Sequence, residues 1–266
     1  MGLSPEVLAP VGSPESLAAA VRSGADAVYI GAKQFSARRN ADNFDDNDII
    51  DTVRYCHIRG VKVYLALNIM IKQSELQAAF DVALTAYKCG VDAVIISDLC
   101  LAALIHKHIP ALQLHASTQM TVHSPACLKL LKELGFTRVV VSREMSKQEL
   151  QDFCATAKKQ GIEVEVFVHG ALCMSVSGQC LLSSVLGARS GNRGLCAGPC
   201  RLPFKAQNGT GYDLSLKDLC LYEYINELKE MGVASLKIEG RMKRPEYVSA
   251  ATAAWRQAVD NGFIDP

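Results

Sequence analysis

The segment SGADAVYIG, from Ser23 to Gly31, shows the pattern that decides the fold. The glycine at position 24 fits the left-handed residue that commonly ends a helix. The apolar run that follows, from Ala27 to Ile30, fits a short strand that is buried on both faces, as in a parallel sheet. The segment therefore predicts the end of a helix and, directly after it, a buried parallel strand.

The same pattern of helix, glycine and apolar run returns along the whole chain. Its further glycines are Gly60, Gly90, Gly135, Gly161 and Gly232. Two more apolar runs, Val7–Ala9 and Gln113–Ala116, complete the set. The sequence thus predicts strands at about 6–10, 27–31, 62–67, 93–97, 113–116, 138–142, 163–168 and 235–239.

Helix start signals stand between the predicted strands. Ser13 precedes Pro14, which is the order of an N-cap and a first helical residue. Ser146 and Glu149 form a capping-box pattern, and Pro245 opens the last predicted helix. Alternating strands and helices over 266 residues predict a single α/β domain with a TIM-barrel-like (β/α)8 fold. A doubly wound open sheet is the alternative, but no glycine-rich dinucleotide fingerprint follows the first strand.

The connection after the seventh predicted strand is much longer than the others. It runs from His169 to Ala234 and takes about 65 residues, whereas most connections take roughly 15 to 35. In this fold, an insertion after a strand lies at the C-terminal face of the barrel, where active sites form. We assign residues 1–266 to one catalytic domain and residues 169–212 to a cysteine-rich insertion within it.

Composition limits the function classes. Net charge is +1, 49% of the residues are hydrophobic and 21% are charged, so no global charge attracts nucleic acid or a membrane. The N-terminus lacks the features of a signal peptide, and no apolar stretch approaches the roughly 20 residues that span a bilayer. We expect a cytoplasmic protein without a membrane partner. The HExxH, GxSxG and P-loop motifs of zinc hydrolases, serine hydrolases and nucleotide-binding proteins are absent.

Four of the ten cysteines cluster in the insertion, and they are Cys173, Cys180, Cys196 and Cys200. A cytoplasmic compartment keeps thiols reduced, so a disulfide framework is not expected. A zinc site built from two pairs has about two to four residues between partners, whereas six residues separate the first pair here. Iron–sulfur clusters accept longer loops and commonly take four thiolates. The spacing favours an iron–sulfur cluster and leaves zinc or no metal open.

The insertion is also locally basic. No acidic residue lies within residues 166–212, and the basic residues there are Arg189, Arg193, Arg201 and Lys205, which give a local charge of +4. This interval is either a solvated loop or a patch that balances an anionic cluster and receives an anionic partner. Arginine suits the second role because its planar fork binds carboxylates and phosphates through two N–H groups.

Polar side chains at the ends of the predicted strands supply further candidates. Charged residues inside short apolar strands are costly to bury unless they are paired. They are therefore either salt bridges between neighbouring strands or members of a site. As members of a site, the candidates for substrate binding are His115, Gln119, Arg143, Arg193 and Arg241. The candidates for proton transfer are Glu144, His169 and Glu239.

Several blocks of the sequence resemble the collagenase-like peptidases, family 32 of the peptidases with unassigned mechanism. They are EVFVHGALCMSVSGQCLLS (Glu165–Ser183), LHASTQ, GNRGLCAGPCRLPF and KIEGRMKRPEYV. The resemblance covers essentially the whole chain. Better-understood branches of the family are similar in sequence but act as oxygen-independent hydroxylases with a [4Fe-4S] cluster. One branch hydroxylates carbon five of a pyrimidine in ribosomal RNA and another modifies the wobble uridine of tRNA, both with prephenate, while a third hydroxylates ubiquinone precursors.

The resemblance implies a cluster held by Cys173, Cys180, Cys196 and Cys200, with Cys220 as the alternative to Cys200. It implies an RNA hydroxylase that acts on carbon five of a pyrimidine, in ribosomal RNA cytidine ahead of tRNA uridine. Prephenate would be the co-substrate, and RNA and this small anion would be the partners. The alternatives are a peptidase and a non-catalytic barrel with structural zinc. Family members often continue into further C-terminal domains, so the chain is expected to be the N-terminal part of a longer protein.

Overall fold

The structure is a computed structural model that describes residues 4–38, 41–206 and 209–263. Over these residues, strands and helices alternate along the chain. The strands are β1 (Glu6–Pro10), β2 (Ala27–Gly31), β3 (Lys62–Leu67), β4 (Ala93–Ile96), β5 (Gln113–Ala116), β6 (Phe136–Val140), β7 (Glu163–Gly170), β8 (Phe204–Ala206), β9 (Gly209–Gly211), β10 (Leu219–Cys220) and β11 (Ser235–Ile238). The α-helices are α1 (Pro14–Arg22), α2 (Asp46–His57), α3 (Leu76–Lys88), α4 (Leu99–His108), α5 (Leu128–Glu133), α6 (Lys147–Gln160), α7 (Leu182–Gly187), α8 (Ile225–Glu230) and α9 (Pro245–Asn261).

Eight of these strands form a closed parallel barrel. They pair in the order β7, β11, β1, β2, β3, β4, β5 and β6, and a further pairing of β6 with β7 closes the ring. Every pairing within the ring is parallel. A helix follows each of the eight strands, as the pattern of glycines and apolar runs predicts. The TIM-barrel-like fold is therefore confirmed.

The local signals at the helix ends act as predicted. The side chain of Ser13 accepts a hydrogen bond from the backbone N–H of Ser16 at the start of α1. Ser146 and Glu149 form the capping box of α6, which ends at Gly161 with φ of +65°. The other glycines of the repeated pattern also have positive φ. Each helix of the pattern thus stops where the next strand has to begin.

Strands β4 and β11 each end one residue earlier than predicted, and two other strands differ from their predicted bounds by two residues. Strand β6 begins two residues earlier, because a register shift in its pairing with β5 aligns Phe136 with Leu114. Strand β7 continues to Gly170, because β10 pairs antiparallel with its carboxyl end and aligns Cys220 with His169. Neither pairing partner is adjacent in sequence, so local periodicity cannot reveal these bounds.

The interior of the barrel holds a network of buried charges. The guanidinium of Arg138 lies 2.8 Å from a carboxylate oxygen of Glu6 and 2.8 Å from one of Glu163. Its Nη1 also lies 3.3 Å from Oε2 of Glu165, and Nζ of Lys237 donates a hydrogen bond of 2.7 Å to Oε1 of the same carboxylate. Glu165 is fully buried. Cations on the two strands that flank β7 therefore balance its charge.

Apolar side chains fill the layer between the barrel and its helices. The largest that are almost fully buried include Phe136 of β6, Phe153 of α6 and Trp255 of α9. Each belongs to a strand or helix whose other face meets the barrel interior or solvent, as expected of a fold with two concentric layers. Within the described residues, none of the helices has the length and apolar character needed to cross a membrane.

The insertion begins and ends at the mouth of the barrel. After β7 the chain forms the short helix α7 and the hairpin of β8 and β9. It then returns through β10, which lies beside the carboxyl end of β7. The segment that contains the four clustered cysteines is therefore anchored at the C-terminal face, where this fold places its active sites.

Replacing Arg138 with methionine should strongly destabilise the fold. The change leaves the buried carboxylate of Glu165 and that of Glu6 without their shared cation, and breaking a buried ion pair costs about 3–5 kcal/mol. The free energy of unfolding, measured by urea denaturation at neutral pH, is the readout. Arg244→Ala is the control, because it removes an exposed ion pair with Glu246 that should contribute less than about 1 kcal/mol. Equal effects of the two changes would refute a stabilising role for the network.

Candidate active site at the barrel mouth

A cavity of about 270 Å³ opens at the carboxyl ends of the barrel strands. Its walls come from strand ends, from the loops that follow them and from the insertion. A concave site with a few convergent polar groups at this face is the expected place for ligand binding in a TIM-barrel fold. The lining includes Tyr29, Arg38, Asn68, Gln119, Arg143, Phe167, Lys237, Glu239, Arg241, Cys173, Cys180, Cys196 and Cys200.

The floor of the cavity is formed by a lysine between two aromatic rings. Nζ of Lys237 lies 4.4 Å from the ring centre of Tyr29 and 5.4 Å from that of Phe167. The carboxylate of Glu165 accepts a hydrogen bond of 2.7 Å from the same ammonium group. The floor is therefore charge-balanced and still offers N–H donors. Lys237 is absent from the predicted site residues, although the alternation of β11 places it on the same inward face as Glu239.

Four arginines and one carboxylate line the cavity, and three of these arginines, Arg38, Arg143 and Arg241, act on the carboxylate of Glu239 at the rim. Nη2 of Arg38 lies 3.1 Å from Oε1 of Glu239, and Nη1 of Arg241 donates a hydrogen bond of 2.7 Å to the hydroxyl of Ser36. Burial acts to raise the pKa of Glu239, but Arg38, Arg143 and Arg241 together hold it below its ordinary value. Burial, followed by the charge of Arg38, lowers the pKa of Arg241 to about 10. The rim has an excess of positive charge that suits an anionic ligand.

Arg143 joins the rim to the first part of the insertion. Its Nη1 donates to the carbonyl of Ala171 at 2.9 Å, and its Nε donates to the hydroxyl of Ser177 at 3.1 Å. Its Nη2 lies 3.7 Å from Sγ of Cys173. The neighbouring Glu144 accepts hydrogen bonds from the backbone N–H and the hydroxyl of Ser177 at 2.9 and 3.1 Å. Glu144 holds the loop in this way and lies outside the lining of the cavity.

The four clustered cysteines converge on the cavity. Burial raises the pKa of the Cys200 thiol, and the negative charges of Cys196, Cys173 and Cys180 raise it further, while Arg201 lowers it. Cys200 therefore lies within electrostatic reach of the other three cysteines. Among the described residues, no three His, Cys, Asp or Glu side chains are arranged to hold a single metal ion. All four cysteines nevertheless line the same cavity.

The surroundings of the thiols fit an anionic iron–sulfur cluster. The backbone N–H of Gly198 points to Sγ of Cys196 at 3.4 Å, and Arg143 approaches Cys173. Gly191 lies between the two segments, because a methyl group there would make ordinary contacts of 3.5 Å with Cβ of Cys196 and with the carbonyl oxygen of Cys180. N–H donors of this kind stabilise and tune thiolate-bound clusters. The donor set of four cysteines therefore fits a [4Fe-4S] group.

Cys220 lies apart from this group. It is exposed on β10, where it pairs with His169, and it does not line the cavity. Of the two alternatives for the fourth cluster ligand, the geometry thus joins Cys200 to the other three cysteines.

His115 lies inside the barrel, below the cavity. It is 4% exposed, and its ring meets the ring of Tyr64 edge to face at a centroid distance of 4.8 Å. Burial, with the charges of Arg138 and Lys237, holds the pKa of His115 well below its ordinary value, so the ring is neutral. Its Nδ1 has no hydrogen-bond partner among the described residues. His115 is therefore a buried interior residue and does not line the cavity.

His169 lies outside the barrel wall because of a bulge in β7. The register between β11 and β7 shifts after Lys237, which aligns with Phe167, so that Ile238 aligns with His169. The shift turns His169 to the outer face, where its ring lies 5.8 Å from the ring of Tyr247 in α9. Burial lowers its pKa. A bulge of this kind leaves no signal in a strand's apolar pattern.

Arg193 and Gln119 belong to contacts that hold the insertion. Arg193 forms a bidentate ion pair with Glu75 and does not line the cavity. The carbonyl of Gln119 accepts a hydrogen bond of 3.3 Å from Nε2 of Gln179, and Gln119 itself lines the cavity. Of the predicted site residues, the structure thus brings Gln119, Arg143, Glu239, Arg241 and the four cysteines together. Arg38 completes the set from the loop after β2, where no motif marks it.

The chain matches known proteins over nearly its whole length. The model of peptidase family U32 matches residues 12–265. A Bacillus subtilis protein named "tRNA hydroxylation protein P1" is 35% identical over 275 residues, which cover 98% of this chain and 64% of that protein. An Escherichia coli protein named "23S rRNA 5-hydroxycytidine C2501 synthase" is 37% identical over 262 residues, which cover 96% of this chain and 39% of that protein. A Porphyromonas gingivalis protein named "Collagenase" is 34% identical, with 98% of this chain and 67% of that protein covered.

These matches have two limits. The chain spans only 64% and 39% of the length of the two relatives named for RNA hydroxylation. A solved structure described as a U32 peptidase has a TM-score of 0.62 and covers 90% of this chain and 94% of that chain, at 15% sequence identity. At this identity the likeness concerns the fold alone, and it agrees with the closed barrel.

Replacing Arg38 with alanine should change how the free energy of unfolding depends on pH. On acidification, the variant should begin to lose stability at a higher pH than the wild type. The pKa of Glu239 lies below its ordinary value of 4.5, so the ionised group stabilises the fold above that value and loses this contribution as the pH falls through the folded-state pKa. Without Arg38 the folded-state pKa rises, and the loss begins at higher pH. The free energy of unfolding between about pH 3 and pH 7 is the readout.

Glu239→Gln supplies the control for this prediction. In that background the titrating carboxyl is gone, so Arg38→Ala should leave the shape of the pH profile unchanged. An equal shift with and without Glu239 would assign the effect to another group.

Proposed function

Because the chain belongs to peptidase family U32, we propose that it is an enzyme that hydroxylates RNA and depends on an iron–sulfur cluster. The observation that carries this proposal is the convergence of four cysteines on one cavity with an arginine-rich rim. Two relatives whose names state RNA hydroxylation match 98% and 96% of this chain. Since the chain spans only part of their length, the proposal concerns what this barrel and its cavity do.

The four cysteines would hold a [4Fe-4S] cluster at the mouth of the barrel. Its ligands would be Cys173, Cys180, Cys196 and Cys200. When bound, the cluster would supply electron-transfer chemistry inside the cavity, which suits a hydroxylase that works without molecular oxygen. Arg143 beside Cys173 and Arg201 beside Cys200 would offset the negative charge of the thiolates.

Prephenate is the proposed co-substrate. It carries two carboxylates, and a guanidinium binds a carboxylate through two parallel N–H groups. Arg241 is 5% exposed, and none of the described residues places a carboxylate oxygen within 4.0 Å of it. We assign one carboxylate of the co-substrate to Arg241. The amide of Gln119 and the ammonium of Lys237 line the same cavity and offer further N–H donors to oxygen atoms of a bound ligand.

Glu239 is the proposed proton acceptor. Among the described residues, it is the one carboxylate that lines the cavity, and the neighbouring arginines keep it ionised. Replacing C5–H of a pyrimidine with C5–OH, with water as the source of the oxygen atom, releases two protons and two electrons, and the scheme therefore needs a two-electron acceptor that acts together with the prephenate co-substrate. An ionised carboxylate at the rim can accept one of the two protons. Glu144 and His169 lie outside the cavity and are assigned no chemical step.

RNA would reach the cavity through one base. The target pyrimidine has to leave its stack to enter a pocket of this size. Exposed basic residues on the loops around the mouth include Arg189, Lys205, Lys243 and Arg244. We assign them to phosphate contacts, which should weaken as salt rises. The proposed target is carbon five of a cytidine in ribosomal RNA, ahead of a uridine in tRNA.

Peptidase activity is the second candidate function, because the similarity to the relative named "Collagenase" extends over 98% of this chain. Its activity would need an activated nucleophile. Over the residues that the structure describes, no histidine forms a hydrogen bond with a serine hydroxyl or a cysteine thiol. Cleavage of a defined peptide by metal-free protein, lost on a single substitution, would favour the peptidase. A colourless protein with one zinc per chain would instead favour the non-catalytic barrel.

Single serine substitutions of the four cavity cysteines should each remove most of the bound iron. Protein purified without oxygen should be brown, absorb near roughly 400 nm and contain about four irons per chain. Cys220→Ser is the matched control, since this thiol lies outside the cavity, and it should keep the spectrum. The readouts are the visible spectrum and the iron, sulfide and zinc contents. Wild-type protein that stays free of iron after reconstitution would rule out the cluster.

Deletion of the gene should remove one hydroxylated pyrimidine from cellular RNA. Nucleosides from purified ribosomal RNA and tRNA are compared by mass spectrometry for the loss of one oxygen atom. Expression of the Cys220→Ser protein should restore the modification, whereas the Cys200→Ser protein should not, because only the second change removes a proposed cluster ligand. Unchanged RNA in the deletion strain would overturn the proposed reaction, and loss from tRNA alone would move the target from cytidine to uridine.

A further inference from the structure

The cysteine insertion has little regular structure of its own near the thiols. Between β7 and β8 the described residues contain only the six-residue helix α7 and short 3-10 turns, of which Gly191–Arg193 and Pro199–Arg201 flank Cys196. Such a segment cannot fix four side chains by local hydrogen bonds alone. Contacts with the barrel loops therefore have to set the positions of the thiols.

One of these contacts is a bidentate ion pair. Nη2 of Arg193 lies 2.7 Å from Oε1 of Glu75, and Nη1 lies 2.9 Å from Oε2. The same Nη1 donates a hydrogen bond of 2.7 Å to the carbonyl of Met70. Oε2 of Glu75 also accepts from the backbone N–H of Lys72 at 2.9 Å. A fork-to-fork pair of this kind is directional as well as strong, so it fixes the orientation of the turn that carries Arg193.

Backbone contacts reinforce the pair on both sides. The N–H of Met70 donates to the carbonyl of Asn192 at 3.1 Å. The side-chain amide of Asn192 donates to the carbonyl of Gly178, which links this turn to the segment before Cys180. A methyl group on Gly194 would lie 2.3 Å from the carbonyl oxygen of Ser36, so the turn rests directly on the loop after β2. The loops after β2 and β3 thus meet the insertion at one turn.

We propose that Glu75 and Arg193 form a clamp that pre-organises the cysteine insertion, and that both are positioning residues for the thiol site. Arg193 lies three residues before Cys196, and its neighbour in the chain, Asn192, donates a hydrogen bond to Gly178 in the turn before Cys180. The clamp therefore acts on the two central thiols rather than on substrate. This rests on the proposed function only in treating the cavity thiols as cluster ligands.

The clamp holds over the whole physiological pH range. Arg193, followed by the backbone N–H of Lys72, lowers the pKa of Glu75 to about 2. The carboxylate is therefore charged whenever the protein is folded at ordinary pH. Both terminal nitrogens of Arg193 donate hydrogen bonds to Glu75 or Met70, so its guanidinium group is already paired within the protein. The arginines of the rim are therefore the better candidates for binding an anionic ligand.

Hydrogen exchange of the metal-free protein tests the clamp directly. Glu75→Gln and Arg193→Gln should each accelerate exchange in residues 190–201 by about fivefold or more, because local opening no longer has to break the pair. The double variant should exchange no faster than the faster single variant. Lys33→Ala is the matched control, since it removes an exposed ion pair with Asp45 on the loop after β2. It should exchange like the wild type.

Two outcomes overturn the clamp. They are exchange in both single variants equal to that of Lys33→Ala, and effects of the two substitutions that simply add in the double variant. In iron-loaded protein, Glu75→Gln should also bleach the visible band several-fold faster in the presence of an iron chelator, while Lys33→Ala should not. If the wild type never binds iron, the proposed function fails, and the exchange measurement still decides the clamp.

Discussion

The structure depends on how one buried carboxylate is neutralised. Glu165 is fully buried within β7, and an unpaired carboxylate there would cost several kcal/mol. Arg138 approaches it from β6 and Lys237 from β11, the two strands that flank β7. These ion pairs tie three strands together where the ring closes. They also place the ammonium group of Lys237 at the floor of the cavity, where Glu165 balances its charge. The interior of the barrel therefore supports the site as well as the fold.

The net positive charge of the cavity wall increases from the floor to the rim. The floor combines Lys237 with Glu165, whereas the rim sets three arginines against Glu239. A cluster bound by the four thiolates would offset part of this excess, and an anionic co-substrate would interact with the positive charge that remains. The pairing of Arg38 with Glu239 leaves Arg241 as the buried cation with only a neutral partner among the described residues. A positive rim above a neutral floor therefore favours an anion bound between the thiols and the barrel.

The features of this fold that depend on short stretches of sequence are predicted well. The strands, the helix caps and the place of the insertion follow from periodicity, capping residues and connection length. The positions of single side chains depend on distant partners instead. His169 turns outward because β7 bulges against β11, and Arg38 enters the site because Glu239 lies across the barrel mouth. Arg193 has the charge and location expected of a residue that binds substrate. In the folded protein, however, its guanidinium group forms an ion pair with Glu75.

The site and the barrel loops cannot be separated. The four cysteines from Cys173 to Cys200 lie in a glycine-rich segment whose conformation is set by contacts with other loops. The loop after β3 holds it through Glu75, the loop after β5 through Gln119, and the loop after β6 through Glu144. Because these loops leave different strands, only the closed barrel brings them to one rim. A four-thiol site on this insertion therefore requires the whole ring, so unfolding of the barrel would remove the site as well.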